Sequence, residues 1–471
     1  MASHFVIVDR QTPMLLPEDM RAWVPENHIV HFILEAVEEI PESTFHINWR
    51  GSGSDQYPPR MMLAVLIYGY VTGRFSSREI QAATYSDVAM RYLSANTHPD
   101  HDTLCAFRRQ NEKLFKQAFV RVLETAQEMK ALKKVGTVSL DGSKILANAS
   151  KHSAVSYDRA GEMIRQLELE VEELMKKAEE ADNRPLEDGL SVPEEIARRE
   201  DRMKRLRHAR KVIEQRAKEK AAEQRPEYER KMAERQVRKL DGKPMKGREP
   251  QEPSEAAGGK DQFNFTDSES RIMKAGNGDH FEQCYNAQAA VDADGSMLIV
   301  GEHVSDQVND KKQLVPGVES ICSEVKVVEA VLVDSGFYSE KAVDEVERFQ
   351  EGKAAITVYA AVEKQSHHRT VTDLEKKQEP EPLAENAPVQ EKMRHRLKTA
   401  AGRQLYRLRK QTVEPVFGII KEVMGFRRFS MRGKKKASLE WTLVTLAYNI
   451  KRLHKSAQSV SAGIPEVALS S

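Results

Sequence analysis

The chain has little of several things, and each shortage excludes a class of protein. Only three cysteines (Cys105, Cys284 and Cys322) occur in 471 residues. They are far apart and match neither a disulfide framework nor a zinc-ligand pattern. Aromatic residues make up 6% of the chain and apolar residues 40%, below the usual apolar share of a globular protein, whereas charged residues reach 31%. Part of the chain must therefore lie outside any core. No apolar run is long enough to span a bilayer, the longest being roughly 61–71, and Ser3, His4 and Asp9 interrupt the segment a secretory signal would need. The expectation is a cytoplasmic protein without membrane association, whose length calls for two to four domains.

Net charge is also nearly absent, at +1, but it is unevenly spread. Residues 392–455 hold eighteen Lys/Arg against three Asp/Glu, a net +15 that leaves −14 for the rest. Tyr406, Phe417, Phe426, Phe429 and Trp441 interleave with these cations, as on a surface that tracks phosphates. The tract is more than a solvated tail, because 413–424 and 439–453 carry periodic apolar residues that need a core. Nucleic acid is the expected partner.

Residues 1–135 read as helical. Pro58 and Pro59 suit the start of a helix over 61–71, Ser76-x-x-Glu79 is a capping box, and an amphipathic stretch runs over 103–132. Such short helices suit either a DNA-binding helix-turn-helix or a packing and dimerisation module. Over 160–250, Ile164, Leu167, Val171, Leu174 and Ala178 follow a coiled-coil spacing. The pattern breaks over 181–192, which holds Asn183, Pro185 and Gly189, and resumes after Ser191-x-x-Glu194 with Ile196, Met203, Leu206, Ile213 and Ala217. Two helices in an antiparallel hairpin are expected, followed by a linker over 241–260. The remainder alternates: short strands at 137–140 and 144–146, strands at 283–291 and 297–304 around an Asp-Gly turn, a helix at 311–324, a strand at 331–333, a helix at 339–349, a strand at 354–359 and a polar loop at 364–390. Together they give a mixed sheet with helices against it, interrupted after its first strand by the hairpin.

Asp141 directly follows Val138-Ser139-Leu140, and Asp334 directly follows Val331-Leu332-Val333. Acids at the ends of apolar strands converge at a sheet edge, where carboxylate oxygens are the hard ligands that Mg²⁺ prefers. A single such Asp is more often a turn residue or helix cap. A third acid, Glu414, lies in the basic tract, with Gly418 and Lys421 on the same helical face at i+4 and i+7. Pro415 requires either that a helix starts here or that it is kinked. Glu422 is the rival acid, about 100° round from Lys421. Asp292, Asp294, Asp306 and Asp310 are held in reserve, the first pair as turn residues and the second as caps of the following helix.

The ordered set Phe107-Arg-Arg, Ser139-Leu-Asp-Gly-Ser-Lys144, Tyr285-Asn-Ala-Gln-Ala-Ala-Val-Asp292, Val333-Asp-Ser-Gly-Phe-Tyr338, Val413-Glu-Pro-Val-Phe-Gly418 and Arg432-Gly433 resembles the DDE transposases of bacterial insertion sequences, in the subgroup with a helical N-terminal domain. The resemblance implies an α/β RNase H-like core, a mixed five-stranded sheet with flanking helices. It would be preceded by an all-α N-terminal domain and interrupted by a helical-hairpin, coiled-coil insertion. The implied division is 1–135 for DNA binding or dimerisation, 136–150 with 261–455 for the catalytic core including a polar loop at 364–391, 151–260 for the insertion and linker, and 456–471 for a tail.

The resemblance further implies that Asp141, Asp334 and Glu414 are catalytic and hold two Mg²⁺ ions, for which Mn²⁺ can substitute. Metal-dependent cleavage at element ends and strand transfer would follow, with terminal inverted repeats and target DNA as partners, a homodimer on DNA, and a bacterial cytoplasmic, nucleoid-associated location. The family's Tyr-x-x-Arg-x-x-x-Glu-x-x-x-x-x-x-Lys pattern is met at Glu414 and Lys421, while the position four before Glu414 is Lys410, with Arg409 beside it. Tyr406, Arg409, Lys410, Lys421, Arg427, Arg428, Arg432 and the lysines 434–436 are the expected phosphate contacts. The alternative is a non-catalytic DNA-binding, coiled-coil interaction protein derived from a transposase.

Overall fold

A computed structural model describes residues 19–47, 56–181, 192–242, 247–275, 280–322, 324–348, 356–362, 379–384 and 387–461. The chain divides into two compact units, 1–145 with 285–471, and 146–284.

The first unit is built on β1 (Val135–Leu146), β5 (Phe281–Asp292), β6 (Ile299–Ser305), β7 (Val327–Val333) and β8 (Thr357–Ala360). Their order is β6-β5-β1-β7-β8, with β5 and β6 antiparallel and β1, β7 and β8 parallel. Among the described residues the sheet has six strands rather than the expected five. The extra one, β4 (Arg271–Lys274), pairs with the first residues of β5 inside the second unit. The two short segments expected at 137–140 and 144–146 are one continuous strand, β1, whose buried Val138 and Leu140 drive it into the sheet. The hairpin expected at the Asp-Gly turn is present, with the Ser296 N–H and hydroxyl donating to Asp292 at 3.2 and 2.7 Å.

Among the described residues, six α-helices precede the sheet: α1 (Ile29–Glu38), α2 (Pro59–Val71), α3 (Ser77–Ser86), α4 (Val88–Leu93), α5 (His101–Gln110) and α6 (Glu112–Glu128). The capping box of Ser76 and Glu79 opens α3 as read. The single helix expected over 103–132 breaks at Asn111, which leaves helical geometry at ψ 38° while its amide donates to the Phe107 carbonyl at 2.9 Å. These helices pack within the same unit as the sheet, through the C-terminal helix described below.

In the second unit, β2 (Ala154–Ser156) and β3 (Gln262–Asn264) pair antiparallel, and α7 (Tyr157–Ala181) and α8 (Val192–Leu240) bury Ala160, Ile164, Leu167, Val171, Met203, Leu206, Ala209 and Ile213 between them. Tyr157 meets Glu214 at 2.6 Å and Glu170 meets Arg199 at 2.8 Å, so the helices run antiparallel. The apolar spacing explains this directly: one stripe on each helix finds the other. Ser191 and the break residues Asn183, Pro185 and Gly189 lie outside the described residues, as do 243–246 of the linker. Past Ala221, α8 buries no further residue.

The segments after β6 are shorter than expected. α9 (Leu314–Glu319) replaces a helix over 311–324, because Ile321 turns back to bridge Gly301. α10 (Glu340–Arg348) follows β7. Residues 349 and 354–355, most of the polar loop (364–378 and 385–386) and the end of the tail (462–471) lie outside the described residues. α11 (Val389–Lys398), α12 (Ala400–Gly418) and α13 (Lys434–Ser461) complete the unit. α13 is buried along much of its length and packs on α2, α6 and β6. Its Asn449 side chain brackets Ile299, accepting from the N–H at 2.9 Å and donating to the carbonyl at 2.8 Å, which satisfies polar backbone of the outer strand.

The interleaved aromatics require a correction. Phe417, Phe426, Phe429 and Trp441 are buried, clustered edge-to-face or stacked with one another and with Phe75 and Tyr285. They are core, and offer no faces for bases to stack on. Alternation of aromatic and basic residues here reflects helices and loops with one inner and one outer side.

Candidate active site

Parallel pairing of β1 with β7 places Val138 beside Val331 and Ser139 beside Leu332. Asp141, still within β1, and Asp334, just past the end of β7, therefore emerge toward the same end of the sheet. α12 brings the third acid. The helix does not start at Pro415: α12 begins at Ala400, capped by Thr399, and continues through Pro415 to Gly418. The next five residues, Ile419–Val423, form a π-helical turn, so Lys421 does not sit on the simple i+7 face of Glu414.

The centre of the site is Arg409. Its Nη2 lies 3.3 Å from Asp141 Oδ2 and 3.9 Å from Asp334 Oδ2, and its Nη1 lies 3.2 Å from Glu414 Oε1. Three acids spaced 193 and 80 residues apart thus share one guanidinium. The Arg409 side chain is 9% exposed, against 51% and 49% for Asp334 and Glu414, so the cation sits beneath an acidic, solvent-facing rim. Burial pushes the Asp141 carboxyl up to about 6, opposed by Arg409 and by the Gly142 N–H, which donates to Oδ1 at 2.8 Å. Asp334 also caps a short turn, accepting from the Ser335 N–H at 2.6 Å. The cap role and the site role coexist in one side chain.

Of the expected phosphate contacts, Tyr406 is half-buried and donates to the Val333 carbonyl at 3.1 Å, tying α12 to the end of β7. Lys410 is exposed and Arg409 is the inward cation, which answers which of the two meets the acids. The one-residue excess over the family pattern falls between Arg409 and Glu414. Lys421 Nζ approaches the Lys144 carbonyl at 3.4 Å. Arg427 is exposed and pairs with the exposed Glu422, leaving that rival acid outside the cluster. Arg428 and Arg432 are exposed on the same loop, which Glu440 anchors by accepting from the Ser430 and Met431 N–H groups at 2.8 and 3.0 Å. Lys434 pairs with Asp306 and Lys435 with Glu112, while Lys436 is exposed.

Sequence reasoning missed the wall of the site. Asn286 and Gln288, two apart on β5, each donate to Asp310 Oδ1 at 2.7 Å, and Lys144 Nζ lies 3.6 Å from the same oxygen. Asp310 is therefore no cap of α9; its side chain faces β5 and β1. A Cβ at Gly142 would meet the Gln288 amide at 2.1 Å and push it away from Asp310. The available signal was two amides on one face of an otherwise apolar strand.

The donor set suits a divalent cation: three carboxylates already gathered round a positive group, all oxygen. They surround it rather than close on a point. Among the described residues, the one trio of potential ligands whose atoms all lie within 4.8 Å is Asp100, His101 and Asp102, where Asp100 is occupied in capping α5. No helix among the described residues is long and apolar enough to cross a membrane.

An acid within β1, a second just past β7 and a helix-borne glutamate, on a mixed sheet with flanking helices, fit an RNase H-like core. Residues 232–450 match the family profile "Transposase DDE domain", and residues 18–110 match "Transposase domain (DUF772)". Two transposase domains in this order are consistent with a DDE transposase of an insertion sequence. Asp141 lies outside both matched segments and joins the site through β1. No curated protein and no solved structure matches the chain.

Proposed function

We propose that the protein cuts DNA at the ends of its element and transfers the freed end into target DNA by metal-dependent phosphoryl transfer at Asp141, Asp334 and Glu414. The observation that carries this reading is the convergence of all three acids on Arg409 in a chain with both transposase domains. Asp141, Asp334 and Glu414 would hold two Mg²⁺ or Mn²⁺ ions, which when bound supply a Lewis acid for the attacking and leaving oxygens. In the first step a water oxygen bonds to the scissile phosphorus, the P–O3′ bond breaks, and the 3′-oxygen leaves as a hydroxyl. In the second, that 3′-oxygen bonds to a target phosphorus, one target P–O3′ bond breaks, and the proton is exchanged to solvent. No protein–DNA covalent link forms. Lys421 and the exposed Arg427, Arg428 and Arg432 hold the phosphates beside the acids. The helices before β1 bind the terminal repeats, and a homodimer pairs two ends.

The test is end cleavage by the purified full chain with Mg²⁺ or Mn²⁺. Asp141→Asn, Asp334→Asn and Glu414→Gln should each abolish cleavage. Near-normal cutting by one variant removes that residue from the cluster, and by all three removes the reading. The hairpin of α7 and α8, a compact unit of its own, favours one second reading, a non-catalytic DNA-binding interaction protein. It expects no rise in melting temperature with Mn²⁺ that depends on Asp141.

A further inference from the structure

We propose that Arg409 is a built-in counter-ion of the acid cluster, so that its guanidinium and a divalent cation compete for the same carboxylate oxygens and Arg409 sets the metal affinity of the site. This rests on the functional reading above. Both terminal nitrogens of Arg409 are engaged with the three acids at 3.2–3.9 Å. A small divalent ion binds carboxylate oxygens at about 2.0–2.1 Å and repels a neighbouring positive group, so both cannot hold these oxygens in the same arrangement.

The residue type suits the role. Three carboxylates brought to one sheet edge repel one another, and a counter-charge there must reach several oxygens at once. A guanidinium does so with a planar fork, is always charged, and is more weakly hydrated than an ammonium, which eases its burial. The arrangement is also incomplete: Arg409 Nε is buried and has no hydrogen-bond partner among the described residues. Asp334 and Glu414 are half exposed, so an ion arriving from solvent reaches their oxygens without passing Arg409. Displacement requires only rotation of a side chain on α12, with its backbone left in place.

Competition is reciprocal, and it is measured by calorimetric titration of Mn²⁺ into the full chain and by the Mn²⁺-induced rise in melting temperature. Arg409→Gln should bind Mn²⁺ at least about fivefold more tightly than the parent and show a larger thermal shift, within the usual range of coupling between sites. Arg409→Lys, which keeps the charge and supports folding if the glutamine variant is unstable, should fall between the two. Asp141→Asn should weaken binding in every background. Equal or weaker Mn²⁺ binding by folded Arg409→Gln or Arg409→Lys, with binding still dependent on Asp141, overturns the proposal and leaves the functional reading intact. No Asp141-dependent Mn²⁺ binding by any of these proteins sinks both.

Discussion

Two clusters in this protein join one basic side chain to acids remote in sequence, and they differ in almost every other respect. Lys326 is fully buried, with its Nζ donating to Asp292 at 2.5 Å, to Asp294 at 3.0 Å and to the Lys133 carbonyl at 3.1 Å. The acids are satisfied from behind as well: Ser296 donates to Asp292, and the Thr137 N–H donates to Asp294 at 2.8 Å. Arg409 serves three acids instead of two, leaves Nε unmade, and faces a rim of which two members are half exposed. Full satisfaction in a sealed site fastens the turn between β5 and β6 to the start of β7. Excess charge at an open edge is poorly suited to stability and well suited to binding a cation.

The largest effect that would separate the two is on chemistry. Removing any one of Asp141, Asp334 or Glu414 should lower end cleavage by about a thousandfold or more, the loss of roughly 4 kcal/mol of transition-state stabilisation, while the fold survives in circular dichroism. Lys326→Met should do the reverse. Leaving two acids in the sealed site without their cation costs about 3–5 kcal/mol of stability, seen in chemical denaturation, with cleavage per folded molecule retained. Cleavage lost with stability intact would break the contrast.

A third acid sharpens it. Glu302, half-buried beside α13, accepts from the Thr442 hydroxyl at 2.6 Å and pairs with no cation among the described residues; desolvation pushes its carboxyl up to about 7. The folded state therefore keeps a proton that the unfolded chain releases near 4.5, and stability falls as pH rises through that interval. Glu302→Gln removes the loss, so its stability advantage should be absent below pH 4.5 and grow to about 2–3 kcal/mol by pH 8. Equal curves for parent and variant across that range would show that the carboxyl titrates normally. The smallest effect belongs to cations of neither cluster. Neutralising Arg427, Arg428 and Lys436 together should weaken DNA binding regardless of sequence and reduce its log–log salt slope by about 2–3, near 0.9 per phosphate contact. An unchanged slope would make that surface merely solvated.

Much of this was legible in residue order. Ile164, Leu167, Val171, Met203, Leu206 and Ile213 announce the α7–α8 pairing because a helical stripe has a period that can be counted. Val331 to Asp334 announces a strand end because a short apolar run stops at a polar residue, whereas the run before Asp141 continues as strand to Leu146. Less legible were features that depend on what lies opposite. The break at Asn111, the passage of α12 through Pro415 and the shortening of α9 are each settled by packing that no local pattern encodes. The aromatics of the basic tract could be read as stacking faces only while their inner side was unknown.

Composition and spacing by themselves determined that the chain has two kinds of architecture, a helical pair held by one stripe and a mixed sheet whose apolar strands lead into acids, because hydrophobic period is a local property. Tertiary structure alone decided that Arg409 and not Lys410 meets the acids, and that Asp310, Asn286 and Gln288 line their flank. The physical reason is that a charge is placed by the direction its backbone gives it, and that direction is set only when distant strands and helices have packed.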